Sequence, residues 1–200
     1  MRVSVPSRPA TREAGGLRDK ASIREYLLVL RCQAGDDRAF ADLFNRFGPR
    51  TIRHLEGLLG LDAAQDVQQE VWLTVYRRIS ELSNPGAFRT WLFRITRHRA
   101  IDCLRKEQRE SDLLETAALE ARTTAEESDE AASSGALDPG FKAAMARLSP
   151  AQRDVIQLRF WEKMSYQEIA LILGCPLGTV RSRIHHAKRV LRQALVEARP

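Results

Sequence analysis

The chain has 200 residues, 44% of them hydrophobic, and its 32 Lys or Arg residues against 26 Asp or Glu residues give a formal net charge of +6 at pH 7. This length accommodates one or two domains with compact cores, and the basic balance suits a nucleic-acid partner. The three cysteines are widely spaced and form no C-x-x-C pair, so they do not indicate a disulfide framework or a metal site, and nothing in the sequence indicates a cofactor. No apolar run is long enough for a signal peptide or a membrane span. A cytoplasmic protein is therefore expected.

The first predicted segment is a disordered tail, because residues 1–21 are basic, contain proline and show no core-forming periodicity. From residue 22 to residue 109 the hydrophobic pattern is helical and no run alternates as a strand would, which predicts an all-α domain. A turn at Gly35-Asp36-Asp37 separates its first two helices. The predicted apolar residues are Leu27, Leu28 and Leu30 in the first helix and Phe40, Leu43, Phe44 and Phe47 in the second.

The third helix is predicted to begin at a capping box formed by Asp62 and Gln65. Its apolar stripe recurs every fourth residue, which places these side chains on one face of the helix. The stripe consists of Val67, Val71, Val75 and Ile79.

The fourth helix is basic and aromatic, and it is predicted to begin where Asn84 supplies an N-cap and Pro85 the first turn. Over residues 88–109 it carries seven Lys or Arg residues against two acidic residues. Single-stranded nucleic acid suits such a helix, because bases stack on rings and phosphates pair with guanidinium groups. The alternative is that the rings of Phe88, Trp91 and Phe93 belong to the core.

Residues 110–138 are predicted to be a flexible acidic linker, since they contain nine acidic residues and one arginine, with few large apolar residues after Leu119. Such a segment can stay away from DNA, occupy a basic channel of a partner, or serve as a solvated spacer. A second helical domain is expected over residues 139–200.

The second domain ends in a predicted helix-turn-helix motif. Ser165 and Glu168 form a capping box, Gly174 permits the left-handed conformation that ends the helix, and Pro176 prevents its continuation. The next helix, from about Gly178, carries five Lys or Arg residues and no acidic residue up to residue 193, a charge that attracts a phosphate backbone. Its predicted inward stripe is Val180, Ile184, Ala187, Leu191 and Leu195.

Early residues of a recognition helix usually contact base edges in the major groove. Arg181 and Ser182 are therefore predicted to contact bases, with His185 and His186 next to them. The predicted phosphate contacts are Thr179, Lys188 and Arg189.

Taken in order, these patterns resemble the extracytoplasmic-function sigma factors of bacterial RNA polymerase. The resemblance covers about residues 25–195 and rests on the segments AGDDRAF, DAAQDVQQEVWLTVYRRI, FRTWLFRITRHRAIDCLR and LSPAQRDVIQLRFWEKMSYQEIALILGCPLGTVRSRIHHAKRVLRQAL. It implies two small helical domains, a sigma region 2-like bundle over 22–109 and a sigma region 4-like domain over 139–200. It also implies a function in transcription initiation, with core RNA polymerase, promoter DNA and an anti-sigma factor as partners.

The resemblance also implies roles for residues by position. Asp66, Gln69 and Glu70 would bind the coiled-coil clamp of the largest polymerase subunit, and the polymerase flap would be a further contact. The loop over residues 83–87 and the helix after it would open the minus-ten element and hold a flipped base; the residues are Asn84, Phe88, Trp91, Arg94, Arg97 and His98. The minus-thirty-five element would be read by Arg181, Ser182, His185 and His186.

The chain departs from the family at two places. His98 stands where many relatives have Asn, and the pair His185-His186 stands where a basic or aromatic residue is frequent. Base preference is therefore not carried over at His98. Recognition of the upstream element by the histidine pair is expected either to be less specific or to depend on pH near the imidazole pKa.

Two other classes of protein remain as alternatives. An autonomous dimeric helix-turn-helix regulator needs a dimerisation surface and a palindromic site. A DNA recombinase needs an α/β core that positions a nucleophile, and no strand-forming half is evident. His54 and His98 have no carboxylate and nucleophile at a motif spacing, so they are predicted to lie on the surface or to face DNA, and the chain is not expected to be an enzyme.

Overall fold

The computed structural model describes residues 12–118 and 139–197, and within these ranges it contains helices and no strand, which confirms the all-α prediction. Two short 3-10 helices, Ile79–Glu81 and Pro85–Ala87, connect the third and fourth α-helices, and a π-helical segment, Gln157–Trp161, follows the sixth. The α-helices are α1 Arg12–Gln33, α2 Asp37–Leu59, α3 Leu61–Arg78, α4 Phe88–Ala118, α5 Pro139–Ala146, α6 Pro150–Ile156, α7 Tyr166–Leu173 and α8 Leu177–Glu197.

Helices α1 to α4 form the first domain around one hydrophobic core. Asp36 caps α2 by accepting a hydrogen bond from the backbone of Ala39, which stabilises the start of the helix by about 1 kcal/mol. The predicted stripe of α3 is confirmed, since Val67, Val71, Val75 and the following Ile79 are all buried.

Helices α5 to α8 form the second domain, with its own core. Ser149 and Ser165 each form a capping box, with Gln152 and Glu168 respectively. Gly174 ends α7 with φ 62°, a left-handed conformation in which a side chain would be strained. The predicted helix-turn-helix of α7 and α8 is thereby confirmed.

Several predicted boundaries differ from the structure. Helix α1 begins at Arg12, so the predicted disordered tail over residues 1–21 is wrong for residues 12–21. Most residues of that stretch are good helix formers, and they extend toward the N-terminus a helix whose later residues, such as Val29 and Cys32, pack in the core. Helix α4 continues to Ala118, beyond the predicted end of the first domain at residue 109. The rest of the predicted linker, residues 119–138, and residues 1–11 and 198–200 lie outside the described residues.

Local interpretation also failed at three points. Helix α3 begins after Gly60 without a side-chain cap, so Asp62 lies in its first turn and is not the predicted cap. In α1 the buried residues are Val29 and Cys32, whereas Leu27 and Leu30 are exposed. In α8 Ala194 is buried and Leu195 is exposed, because the end of that helix packs on α5 through a different edge.

The two domains pack against each other, with α7 along α4 and α6 against α2. Phe93, on α4 of the first domain, is fully buried in the hydrophobic cluster of the second domain. The face of α4 on which it lies is therefore part of the contact between the domains.

Candidate nucleic-acid interfaces

The outer face of α8 is the first candidate interface. Buried Val180, Ile184 and Ala187 fix the orientation of the helix, so that the opposite side faces solvent. The predicted DNA contacts lie on that side: Arg181, Ser182, His185, His186, Lys188 and Arg189 are exposed, and Thr179 is half-buried.

Local contacts order part of this face. The Ser182 hydroxyl donates a hydrogen bond to the Thr179 carbonyl at 3.0 Å, so its oxygen points along the helix with acceptor capacity left. The rings of His185 and His186 meet edge to face with centroids 5.8 Å apart. Lys188 places its ammonium group 5.2 Å from the centre of the Phe160 ring. The face can therefore offer several donors to bases and phosphates at one time.

The second candidate interface is α4 with the loop before it. The Asn84 side chain accepts a hydrogen bond from the Gly86 backbone at 3.0 Å and shapes the entry to the helix. Arg94 and His98 are exposed one turn apart, and they line the open cleft that faces Gln167 and Leu171 of α7. Trp91 is half-buried beside these residues.

Phe88 is a correction to the predicted site. Its ring is fully buried and packs edge to face against the Phe47 ring, with centroids 5.3 Å apart. A base cannot stack on a ring that the core already covers. The alternative reading of Phe88 as a core residue is therefore correct.

Arg97 lies on α4 as predicted, but its guanidinium binds a carboxylate of the second domain. Its Nε donates a hydrogen bond to Asp154 Oδ2 at 2.9 Å, and the Asp154 carboxylate is almost completely buried. A charge-assisted pair of this kind is stronger than a neutral hydrogen bond. In this arrangement the Arg97 guanidinium points to α6 and is not directed at solvent.

The predicted polymerase contacts form an exposed patch on α3. Asp66, Gln69 and Glu70 lie on the side of the helix away from the buried stripe. Glu70 is 3.8 Å from Arg99 of α4, a distance that holds its carboxylate loosely. The patch presents carboxylate and amide oxygens to solvent.

Sequence analysis missed a group of charged residues buried between the domains. His54 is 2% exposed, so its predicted surface position is wrong, and its Nε2 lies 3.4 Å from Asp154 Oδ1. Arg50 forms an ion pair with Glu162, across the same contact. We call His54, Arg50, Arg97, Asp154 and Glu162 the interdomain polar cluster. A histidine and an arginine one turn apart on α2 were its signal in the sequence, but their partners are about 100 residues away.

The charge state of His54 is expected to make the domain contact depend on pH. Burial lowers the His54 pKa from 6.5, although Asp154 and Glu162 raise it, and Arg97 lowers it further. These groups, with Gln157, face the ring from α4 and from the second domain. When the domains separate, His54 regains its ordinary pKa, so the contact is at full strength above about pH 6.5 and weakens as the pH falls below it.

Small-angle X-ray scattering between about pH 7.5 and about pH 5.5 measures this effect as a rise in the radius of gyration at the acidic end. His54→Gln, whose amide does not titrate, is the matched control and is expected to remove most of the dependence. Equal curves for the two proteins would contradict the assignment to His54.

Within residues 12–118 and 139–197 no helix is long and apolar enough to cross a bilayer. The same ranges contain no group of three or more His, Cys, Asp or Glu side chains that could hold a metal ion.

Comparison with protein families identifies both domains. The family model "Sigma-70 region 2" matches residues 43–110, and the model "Sigma-70, region 4" matches residues 141–191. The first match runs from within α2 to within α4, and the second runs from within α5 through the greater part of α8. The two matches together cover more than half of the chain.

Individual proteins similar to this chain are also sigma factors. The RNA polymerase sigma-H factor of Pseudomonas aeruginosa is 32% identical over 188 residues, which cover 86% of this chain and 94% of that protein. The ECF RNA polymerase sigma factor SigW of Bacillus subtilis is 30% identical, over 84% of this chain and 94% of its own. Among solved structures, the sigma factor RpoE of Bartonella quintana, in complex with the anti-sigma factor NepR, superposes with a TM-score of 0.63 at 26% identity, over 80% of this chain and 98% of that one.

Proposed function

Because this chain belongs to the extracytoplasmic-function sigma factors of bacterial RNA polymerase, we propose that it binds core polymerase, recognises the minus-thirty-five and minus-ten promoter elements and directs initiation where they occur. The minus-ten region is opened in the process, and the base that leaves the helix is held on the non-template strand. The protein supplies recognition, and the polymerase supplies the chemistry. It is accordingly not an enzyme, and it acts in the cytoplasm where polymerase and chromosome meet.

The observation that carries this proposal is the presence of two different basic helices in one chain. Helix α8 follows a tight turn at Gly174 and exposes Arg181 and Lys188, as duplex recognition requires. Helix α4 is a longer basic helix whose Arg94, His98 and half-buried Trp91 suit unpaired bases. An autonomous repressor needs the first of these helices and has no use for the second.

Each domain has a proposed role. The first domain, α1 to α4, binds the polymerase clamp through the α3 patch of Asp66, Gln69 and Glu70, and the minus-ten element through Asn84, Trp91, Arg94, Arg97 and His98. The second domain, α5 to α8, binds the polymerase flap and reads the minus-thirty-five element. Each domain is small and binds its promoter element weakly, so useful affinity requires a scaffold that holds both domains at a fixed separation.

An anti-sigma factor is the proposed regulator. Support comes from the Bartonella quintana relative, whose solved structure contains a sigma factor bound to an anti-sigma factor. A protein that covers α4 of this chain would prevent the minus-ten contacts, and one that covers the α3 patch would prevent the polymerase contact.

In vitro transcription tests the proposed function. Core polymerase, the full-length chain and a library of genomic promoter fragments are expected to give transcripts with discrete start sites that are absent without the chain. A stable dimer that binds palindromic DNA and gives no transcripts would instead favour the autonomous regulator.

Two substitutions on α8 separate base contacts from phosphate contacts. Arg181→Ala is expected to relax discrimination at one base pair of the upstream element by about 1 to 3 kcal/mol, because a bidentate contact to a base edge is lost. Lys188→Ala is expected to weaken binding to all sequences alike, since a phosphate contact carries no sequence information. Polymerase-dependent binding to promoters altered one base pair at a time measures both effects. A uniform loss for Arg181→Ala, or a sequence-dependent loss for Lys188→Ala, would show that the assignments are wrong.

A further inference from the structure

The second domain contacts helix α4, the proposed minus-ten helix, at Arg97, one of the proposed DNA contacts. Arg97 of α4 donates to Asp154 of α6 at 2.9 Å, and the Asp154 side chain is 6% exposed. The same carboxylate lies 3.4 Å from His54 of α2. Asp154 therefore occupies the guanidinium of Arg97 at the centre of the contact between the domains.

Contacts on both sides of Asp154 extend this arrangement. Arg50 of α2 forms an ion pair with Glu162, whose side chain is 5% exposed. On the α7 side, the Thr90 hydroxyl of α4 donates to Glu168 Oε1 at 3.4 Å. The resulting contact runs along α4 from residue 90 to residue 97, the segment that also carries Trp91 and Arg94.

An apolar contact accompanies the polar ones. The Phe93 ring is fully buried in the core of the second domain, and it meets the His54 ring edge to face at 5.5 Å. On the other side, Arg153 donates to the Gly57 carbonyl of α2 at 3.2 Å. This contact adds α2 to the surface of the first domain that the second domain covers.

The contact is of a kind that can open. Contacts between the domains of one chain resemble transient protein–protein interfaces, so motion of the domains relative to each other is common. Separation would let water, DNA or polymerase contact the polar groups of the cluster.

We propose that the free chain is autoinhibited by its own second domain, which covers residues 90–97 of α4 and holds Arg97 with Asp154 until the domains separate. This inference rests on the proposed role of α4 in minus-ten recognition. The closed form is the arrangement of the structure, and the open form exposes α4 to single-stranded DNA. Polymerase favours the open form, because it binds the two domains at separate places.

The test uses Glu162→Arg in the full-length chain. It places two arginines, at positions 50 and 162, against each other in the contact, without altering any proposed DNA contact. The matched control is Glu197→Arg, which makes the same change of net charge on the same domain but breaks an exposed ion pair with Arg147, the residue after α5. Arg50→Glu opens the contact from the other domain, and the double variant Arg50→Glu/Glu162→Arg restores opposite charges.

Two quantities are measured: the radius of gyration by small-angle scattering, and the affinity for a fluorescein-labelled, random-sequence single-stranded DNA. Glu162→Arg is expected to raise the radius of gyration by roughly 20% and to bind the DNA about tenfold more tightly than Glu197→Arg does. Arg50→Glu is expected to expand the chain equally, and the double variant is expected to be compact again.

Equal dimensions for Glu162→Arg, Arg50→Glu and the control would overturn the proposal, because they would show that this contact does not hold the domains together. Expansion with no gain in DNA affinity over the control would overturn it too, since α4 would then not be masked. Failure of the proposed function is a separate result, seen when the unaltered chain gives no transcripts with core polymerase.

Discussion

Phe93→Ala is expected to detach the two domains while leaving each of them folded. Phe93 is the fully buried aromatic residue by which α4 of the first domain enters the core of the second. Removal of a buried phenylalanine typically costs about 3 to 5 kcal/mol, because transfer energy is lost and a cavity remains. Here the cavity can be relieved by separation, so the loss falls mainly on the contact between the domains.

The neighbouring residue on α4 supplies the matched control. Leu92 is also fully buried, but it belongs to the core of the first domain. Leu92→Ala is expected to lower the free energy of unfolding of the first domain by about 2 to 5 kcal/mol. Differential scanning calorimetry and scattering distinguish the two variants.

Phe93→Ala should give an expanded chain with two separate unfolding transitions, both near their original temperatures. Leu92→Ala should give a compact chain with an early transition of the first domain. If Phe93→Ala unfolded the second domain and left the chain compact below that transition, the ring would be a core residue only, and its assignment to the domain contact would be wrong.

Asp66→Arg is expected to abolish assembly with polymerase. Asp66 is exposed on α3 beside Gln69 and Glu70, and the proposed partner surface is basic. Reversal of the charge replaces an attraction with a repulsion of several kcal/mol, which corresponds to an affinity loss of about 100-fold or more. DNA contacts and the domain contact are not involved.

Asp102→Arg is the control for this substitution, because Asp102 is an exposed residue of α4, in the same domain, and the charge change is the same. Fluorescence anisotropy of the labelled chain with increasing core polymerase measures the affinities. Similar affinities for Asp66→Arg and Asp102→Arg would remove α3 as the polymerase contact.

Local patterns in the sequence predicted the parts of the fold that depend on neighbouring residues. The capping box of Ser165 and Glu168 and the glycine at position 174 fix the helix-turn-helix within ten residues of each other. The stripe of Val67, Val71 and Val75 was equally clear, because a helix with a single buried face repeats every three to four residues.

Helix α4 was harder to interpret, because it is buried on more than one side. Phe88 and Leu92 face the first core, and Phe93 faces the second. Sequence analysis considered these aromatic residues as either DNA contacts or core residues, and it could not assign them to two different cores. The choice depends on how two domains meet, which no local pattern contains.

The interdomain polar cluster shows the same limit for charges. His54 and Asp154 are 100 positions apart in the sequence and 3.4 Å apart in space. From the sequence alone, His54 on α2 is indistinguishable from a surface residue, because α6, which packs against it, belongs to the other domain. The same applies to Arg97, which sequence analysis assigned to minus-ten recognition and whose partner in the free chain is a carboxylate of the other domain.

The closed arrangement and the need for a polymerase scaffold both predict that the free chain binds promoter DNA weakly. In the free chain, α4 is covered and the two readers cannot adopt the separation that a promoter requires. Under the proposed autoinhibition, polymerase binds the domains apart, releases Arg97 and lets both DNA-binding helices act together. Salt should weaken promoter binding strongly in either state, because both readers use phosphate contacts.

Footprinting of a cognate promoter at physiological salt, with and without core polymerase, tests this account most directly. The chain with core polymerase is expected to protect both the minus-thirty-five and the minus-ten elements and to make minus-ten bases reactive to single-strand probes, whereas the free chain protects neither element. Tight protection of both elements by the free chain would contradict the account, as would the absence of protection in the presence of polymerase.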